Sequence, residues 1–345
     1  MSTPHPLPRP KCKSLMGLRI VGTGKYLPER VVPNEELFDL LHFAEKNYTT
    51  AWIVKGTGIH ERRNARPDQA TSDLCVEAAQ DCFAKSGIDP KDIDLLVLGT
   101  FTPDMSFPST ACIVQDKLKL VCAAVEVEAA CAGFMYALIT AAAYVASGAS
   151  ERALVIGGDV NSRILSTNDP KIYPLFGDGA GAVILERGTP EQGIVAYSLG
   201  SDGSGGKMLH RPACGSRMPP TADSLAAGLQ YMHMDGNGVY RWAIEILRDT
   251  VNDVCTAAKI PVEAIDLFCV HQANIRIIEQ SLHKWLDVKP ERVFNNLEKY
   301  GNTSAGSIPI ALDEALAAGK LNRGQLALFS GFGAGLAWGT ALIRW

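Results

Sequence analysis

What this 345-residue sequence lacks narrows its function first. It has no run of like charges, and 33 lysines and arginines against 37 aspartates and glutamates leave a formal net charge of −4. That balance gives no basis for a nucleic-acid partner or for adhesion to a membrane surface. The nine cysteines include no CxxC pair and no cysteine–histidine set at metal-ligand spacing, so no metal and no cofactor is expected. Odd in number and scattered, they read as reduced thiols in the cytoplasm. A secretory signal is missing too: the opening MSTPHPLPRPKCKSL carries prolines at alternate positions from Pro4 to Pro10 and no apolar segment. Residues 1–16 are therefore read as an extension, with Met16 as an alternative start. The one long uncharged run, Ala129 to Ser150, is alanine-rich and interrupted by glycine and serine. Such a run makes a poor membrane span and a good helix buried on every side.

What is present is a globular composition, 47% hydrophobic and 20% charged, long enough for two domain-sized units. The two units echo each other. A stretch of helical periodicity, SDLCVEAAQDCFAKSGIDPKD from Ser72, leads into IDLLVLGT at Ile93; its partner, YRWAIEILRDTVNDVCTAAKIPVEA from Tyr240, leads into IDLFCVHQ at Ile265. At nearly the same spacing beyond each strand stand CAGFMYAL at Cys131 and SAGSIPIAL at Ser304. An alanine-rich helix and an apolar strand follow in both halves, ALVIGG at Ala153 and LALFSGFG at Leu326, and then a glycine-rich turn, GDGAGAVIL at Gly177 and GFGAGLAWGTALI at Gly331. Alternating strands and helices predict mainly parallel sheets covered on both faces. Two copies, each with one fully buried helix, predict an α/β fold: a five-layered αβαβα sandwich made of two duplicated halves, residues 17–188 and 189–345.

The duplication brings strand ends and helix starts together around one pseudo-twofold axis, where active sites of such sheets collect. Cys131 is expected at the start of the first central helix, His271 just after the strand LFCV, and Asn302 before the second central helix. A thiol at a helix N-terminus faces unpaired N–H groups, which lowers its pKa toward the reactive thiolate. Taken singly, each residue has a plainer reading: a small core filler, a structural histidine, a turn asparagine. Together a thiolate and two neutral donors form an acyl-transfer site. A cysteine peptidase uses the same trio, and the duplicated layers argue against it. GFGAG at Gly331 reads either as a phosphate cradle or as exposed backbone N–H groups aimed at an oxyanion. Asp178, in GDGAG, is expected to fix a turn.

These stretches, with IVGTGKYLPE at Ile20, WIVKGTGIHER at Trp52, FPSTAC at Phe107, FGDGAGAVIL at Phe176, VHQANIRII at Val270, YGNTSAGSIPIALDEA at Tyr300 and FGAGLAWGTALIRW at Phe332, resemble the type III β-ketoacyl-acyl-carrier-protein synthases of the thiolase superfamily. The resemblance runs from Ile20 to Trp345. It implies a thiolase-like fold and a homodimer without membrane insertion. It also implies decarboxylating condensation of an acyl-CoA starter with malonyl-acyl carrier protein through a cysteine acyl-enzyme, the first step of fatty-acid or related acyl-chain synthesis. By the same resemblance Cys131 is the nucleophile, and His271 and Asn302 hold the malonyl thioester during decarboxylation. The N–H groups of Cys131 and Ala334 form the oxyanion hole. Trp52 stacks on the CoA adenine, Asn237 and Asn274 line the pantetheine tunnel, and Phe107 closes the acyl pocket of a partner subunit. Phe176, Leu209 and Tyr240 are further walls, and Arg241 and Arg276 dock the acidic carrier protein. Gly56 and His60 stand where relatives often carry arginine, which implies weaker CoA nucleotide contacts or another acyl donor. Asn161, where an apolar pocket residue is common, and Ala334, where glycine is common, imply a starter longer or more polar than acetyl. The alternative within enzymes is a related acyltransferase of secondary metabolism that takes a non-acetyl group or serves a non-malonyl acceptor. An inactive scaffolding subunit is the alternative outside them, and the presence of Cys131 argues against it.

Overall fold

Strands covered on both faces must be apolar throughout, and Leu95–Gly99 and Leu267–Val270 are buried at every position. In the computed structural model, which describes residues 9–43, 45 and 48–345, they belong to two five-stranded sheets. Edge to edge, the first runs Leu18–Tyr26, Gly179–Arg187, Arg152–Asp159, Leu95–Gly99 and Ala123–Val127. The second runs Lys13–Met16, Gly193–Ser201, Ala337–Arg344, Leu326–Gly333 and Leu267–Val270.

Two apolar helices, Gly133–Ser147 and Ser307–Ala317, lie between the sheets and share one core with the inner faces of both. The helix Thr71–Ser86 covers the outside of the first sheet and Gly236–Ala258 the outside of the second. Alternation within one strand shows the layering: Leu95 and Val97 face the central helices, Leu96 and Leu98 the outer helix. These are the five αβαβα layers expected from the repeat. The run Ala129–Ser150 supplies the first central helix, which Gly148 ends in a left-handed conformation at φ +81°.

Two expectations need correction. The sheets are mixed: only the pairs of Leu95–Gly99 with its two neighbours and of Leu267–Val270 with Leu326–Gly333 are parallel, and the other pairs are antiparallel. For Leu326–Gly333 and Ala337–Arg344 connection length decides this, because a parallel pair needs a crossover of about a dozen residues or more. The glycine-rich segment Ala334–Leu336 is too short for one and closes a hairpin.

Nor are residues 1–16 all outside the fold. Residues 1–8 lie outside those described, but Lys13–Met16 adds an antiparallel edge strand to the second sheet, against Gly193–Ser201. Arg9 reaches Asp253 at 2.5 Å and Asp249 at 3.1 Å on the outer helix. The segment thus completes an edge that the duplication leaves open. In the first sheet the fifth strand is Ala123–Val127 on the opposite edge, where the second has only an isolated bridge between Phe268 and Val293.

Candidate active site

The two central helices begin in the same way. A tight 3₁₀ turn precedes each, Ala130–Ala132 in one half and Ser304–Gly306 in the other. The first residue of each turn has positive φ, +45° at Ala130 and +52° at Ser304. Each turn is closed by a matching bond, Ala132 N–H to Ala129 O at 2.9 Å and Gly306 N–H to Thr303 O at 3.0 Å. The strands beside them agree: a Cβ on Gly157 would meet Ala305 O at 2.3 Å, and one on the equivalent Gly331 would meet Cys131 O at 3.3 Å. The twofold counterpart of Cys131 is therefore Ala305, and that of Ser304 is Ala130. The sequence match of CAGF with SAGS had paired Cys131 with Ser304, one position out of step, because its shared glycines, Gly133 and Gly306, occupy different places in their turns.

This offset determines what surrounds the sulfur. Asp159 and Gly333 end equivalent strands. The Ala305 N–H donates to Asp159 Oδ2 at 3.1 Å. At the Cys131 turn glycine replaces that carboxylate, and a Cβ on Gly333 would fall 2.8 Å from Cys131 N. The backbone N–H that Asp159 occupies in one half is thus left open to a ligand in the other. Ser304, whose counterpart Ala130 has no hydroxyl, donates to Cys131 Sγ at 3.3 Å.

The remaining candidates join the same cluster. Asn302 Oδ1 accepts from Ser304 N at 2.8 Å, which leaves the amide NH₂ as its donor end. Its backbone pairs with that of Phe176, and Asn302 N donates to Leu175 O at 2.9 Å. His271 Nδ1 lies 2.8 Å from Ser307 Oγ at the start of the second central helix, and its ring packs edge-to-face on Phe332 with centroids 5.3 Å apart. Phe332 precedes Gly333, so a short path of contacts leads from His271 through that strand to Cys131 and on through Ser304 to Asn302.

Burial dominates the electrostatics. It holds His271 down to about 3, a neutral imidazole at physiological pH. It also pushes the Cys131 thiol up to about 12, with the Ser304 hydroxyl acting against it. The lowering expected from the helix terminus does not prevail in the resting site: the thiol is 5% exposed, and desolvation of a thiolate outweighs the nearby dipoles. Asp159, fully buried, is raised to about 6 although five N–H and O–H groups are directed at it.

A cleft of about 1000 Å³ reaches Cys131 and is walled by Phe176, Leu209, Met232 and Ala334 among others. Of the expected site residues, Cys131, Phe176, Leu209 and Ala334 border it, and His271 and Asn302 lie buried behind it. Asn161 does not border it: its amide is fully buried and donates to Gly177 O at 2.6 Å, so the polar-starter expectation loses that support. Asp178 fixes turns as expected, accepting from Ala65 N at 2.8 Å and from Ser162 N at 2.9 Å.

Trp52, Asn237, Tyr240, Arg241, Asn274 and Arg276 do not line this cleft and lie on three helices, Thr50–Thr57, Gly236–Ala258 and the turn Ile275–Ile278 with its cap Asn274, the last in contact with the other two. Trp52 is 40% exposed and packs on Tyr48. Arg276 lies over the Tyr240 ring at 5.3 Å, and Asn237 and Arg241 are exposed. The Asn274 side chain is engaged within the protein, donating to Gly56 O at 3.1 Å and accepting from Arg276 N at 2.8 Å. Phe107 projects elsewhere, 84% exposed.

Sequence reasoning missed Ser304, Ser307, Phe332 and Asp159 as neighbours of the site. The two serines sit inside SAGS, where they were read only as an echo of the cysteine motif, and Asp159 closes an apolar strand whose end gave no other signal.

Two sheets around paired central helices, with a lone cysteine on one of two matching turns, define a thiolase-like condensing enzyme. Residues 125–203 match the family model for 3-oxoacyl-[acyl-carrier-protein] synthase III, and residues 255–345 match that for its C-terminal part. The β-ketoacyl-[acyl-carrier-protein] synthase III of Rhodopirellula baltica is 48% identical over 96% of this chain and 99% of its own. That of Natranaerobius thermophilus is 42% identical over 95% and 99%. The crystal structure of the Thermus thermophilus synthase III superimposes with a TM-score of 0.87 at 35% identity, covering 94% of this chain and 98% of that one. The chain belongs to the β-ketoacyl-acyl-carrier-protein synthase III family.

Proposed function

We propose that this enzyme starts acyl chains by condensing an acyl-CoA with malonyl-acyl carrier protein through a thioester on Cys131. The observation that carries the reading is the buried cluster in which Cys131, bordering the cleft, is joined through Ser304 to Asn302 and through the Phe332 strand to His271. In the first half-reaction the Cys131 sulfur attacks the acyl carbonyl and CoA thiolate leaves. The oxyanion rests on the N–H of Cys131, which Gly333 leaves uncovered, and on that of Ala334.

In the second, the malonyl thioester carbonyl accepts hydrogen bonds from His271 and Asn302. Carbon dioxide departs, and the enolate carbon attacks the acyl group and expels the Cys131 thiolate. A neutral histidine suits this task, since it donates without supplying a charge that would need desolvation. Donation from Nε2 to the substrate requires Ser307 Oγ–H to donate to Nδ1, the tautomer this reading assigns to the ring.

Phe176 and Leu209 line the acyl end of the cleft. Trp52, Asn237, Tyr240 and Asn274 flank the entry of the CoA or carrier arm, and Arg241 and Arg276 offer positive charge to an acidic carrier protein. The protein acts as a cytoplasmic homodimer. Supporting self-association, Phe107 is exposed at 84%, and Val121, exposed at 94%, precedes the open edge strand Ala123–Val127.

Incubation with a panel of acyl-CoAs tests the reading. The intact protein should gain the mass of one acyl group, and Cys131→Ala should gain none. No adduct with any donor, or an adduct retained by the variant, overturns it.

A further inference from the structure

Ser304 is fully buried, and its hydroxyl is aimed at the sulfur that the proposed reaction acylates. Its neighbours on both sides are fixed. Asn302 Oδ1 receives its own N–H at 2.8 Å, and Asp159 Oδ2 receives the N–H of Ala305 at 3.1 Å. Asp159 is itself immobilised by Thr100 Oγ1 at 2.8 Å, Phe101 N at 2.9 Å, and Thr102 through its N at 3.2 Å and its Oγ1 at 2.9 Å. The turn that carries Ser304 is therefore anchored to a fixed carboxylate through Ala305, with the Ser304 hydroxyl on the Cys131 sulfur. The matching turn carries alanine at this place, with nearly the same positive φ. The turn's shape therefore does not require the hydroxyl.

We propose that Ser304 is a positioning residue for Cys131: its hydroxyl, already directed at the sulfur, stabilises and aims the thiolate once the thiol has lost its proton. This rests on Cys131 being the acylated residue. A hydroxyl carries one proton. While the sulfur is protonated it is a weak acceptor for Oγ–H; when the thiol proton departs to solvent through the cleft, the same Oγ–H donates to a charged sulfur and the bond strengthens. Other groups around Cys131 do not take this place. Asp159, on the adjoining strand, is of like charge and works against the thiolate, and His271 is held neutral by burial. Glu128, Asp104, Arg163 and Arg211 stand on the cleft wall, and none of them is among the groups that bear on the sulfur.

Alkylation of Cys131 by iodoacetamide, followed by mass on the Cys131 peptide in the intact folded protein, tests this without any acyl donor. A failure here is thus distinguishable from a failure of acylation. Ser304→Ala should keep the native melting temperature, as the alanine of the matching turn implies. Alkylation at each pH between about 7 and 9 should slow roughly three- to tenfold, because losing a donor to a charged group raises the thiol pKa by about a unit while the more basic thiolate is partly more nucleophilic. Ser304→Thr restores the hydroxyl but strains a β-branched residue at positive φ; it should melt lower and yet alkylate faster than Ser304→Ala. A merely structural role would make reactivity follow stability in both variants. Ser304→Ala reacting at the native rate, or reactivity that tracks melting temperature across the pair, overturns the proposal.

Discussion

His271 Nδ1 and Ser307 Oγ, 2.8 Å apart, tie the loop after one strand to the first residue of the second central helix, so turning the imidazole breaks a buried hydrogen bond. The ring is closed in further by the edge of Phe332. An orientation held from two sides is what a hydrogen-bond donor to a developing enolate requires.

Removing the imidazole should separate the two half-reactions. His271→Ala is expected to accept the acyl group on Cys131 at near the native level and to lose decarboxylation of malonyl-acyl carrier protein by roughly a hundredfold or more. Ser307→Ala, which frees the tautomer but keeps the ring, should lose about tenfold in the same step. Acyl adduct mass and release of labelled carbon dioxide measure the two independently, and equal loss of both would contradict the assigned roles.

A buried neutral histidine also shapes stability against pH. Its folded-state pKa of about 3 lies below the unfolded value near 6.5, so between those limits the unfolded chain binds the extra proton. Its contribution is present above about pH 6.5 and is lost as pH falls toward 3. Asp159, raised to about 6, contributes the other way, favouring the folded state below its unfolded pKa and losing that effect as pH rises through 6. His271→Gln should therefore lose less stability than the native protein between pH 7 and pH 4.5, read as urea midpoints. An identical loss in both proteins would show that His271 does not titrate in this way.

Gly333 is where the Cys131 turn tolerates no side chain. A methyl group there would sit 2.8 Å from Cys131 N and 2.9 Å from its Cβ. Gly333→Ala should cost about 1–3 kcal/mol of stability and abolish the acyl adduct, because the turn must shift and the N–H becomes covered. Thermal unfolding and intact mass check the two effects. A stable variant that acylates normally would mean the N–H of Cys131 is not part of the oxyanion site.

Much of this site was legible in the sequence because its residues lie at element boundaries, where local rules are strong. Cys131 follows an apolar strand and opens an alanine-rich helix, His271 ends LFCV, and Asn302 stands in a glycine-flanked loop. The repeat by itself implies that all three lie near one axis. Residues whose importance comes from what they touch were not legible: Ser304 and Asp159 are 145 positions apart and meet only because Ala305 N binds the carboxylate. The strand Lys13–Met16 escaped notice because four residues carry no periodicity, and an open sheet edge is a property of the assembled fold.

The sequence by itself determined the layers and the chemistry, since buried strands and helices need apolar runs and a nucleophile needs its thiol. Only the tertiary structure decided the pairing of the two turns. A one-residue shift puts the Ser304 hydroxyl on the sulfur, sets Asp159 against one N–H and leaves the other open beside Gly333. It also reversed the expected electrostatics of Cys131, because the depth at which a thiol is buried depends on every layer packed around it.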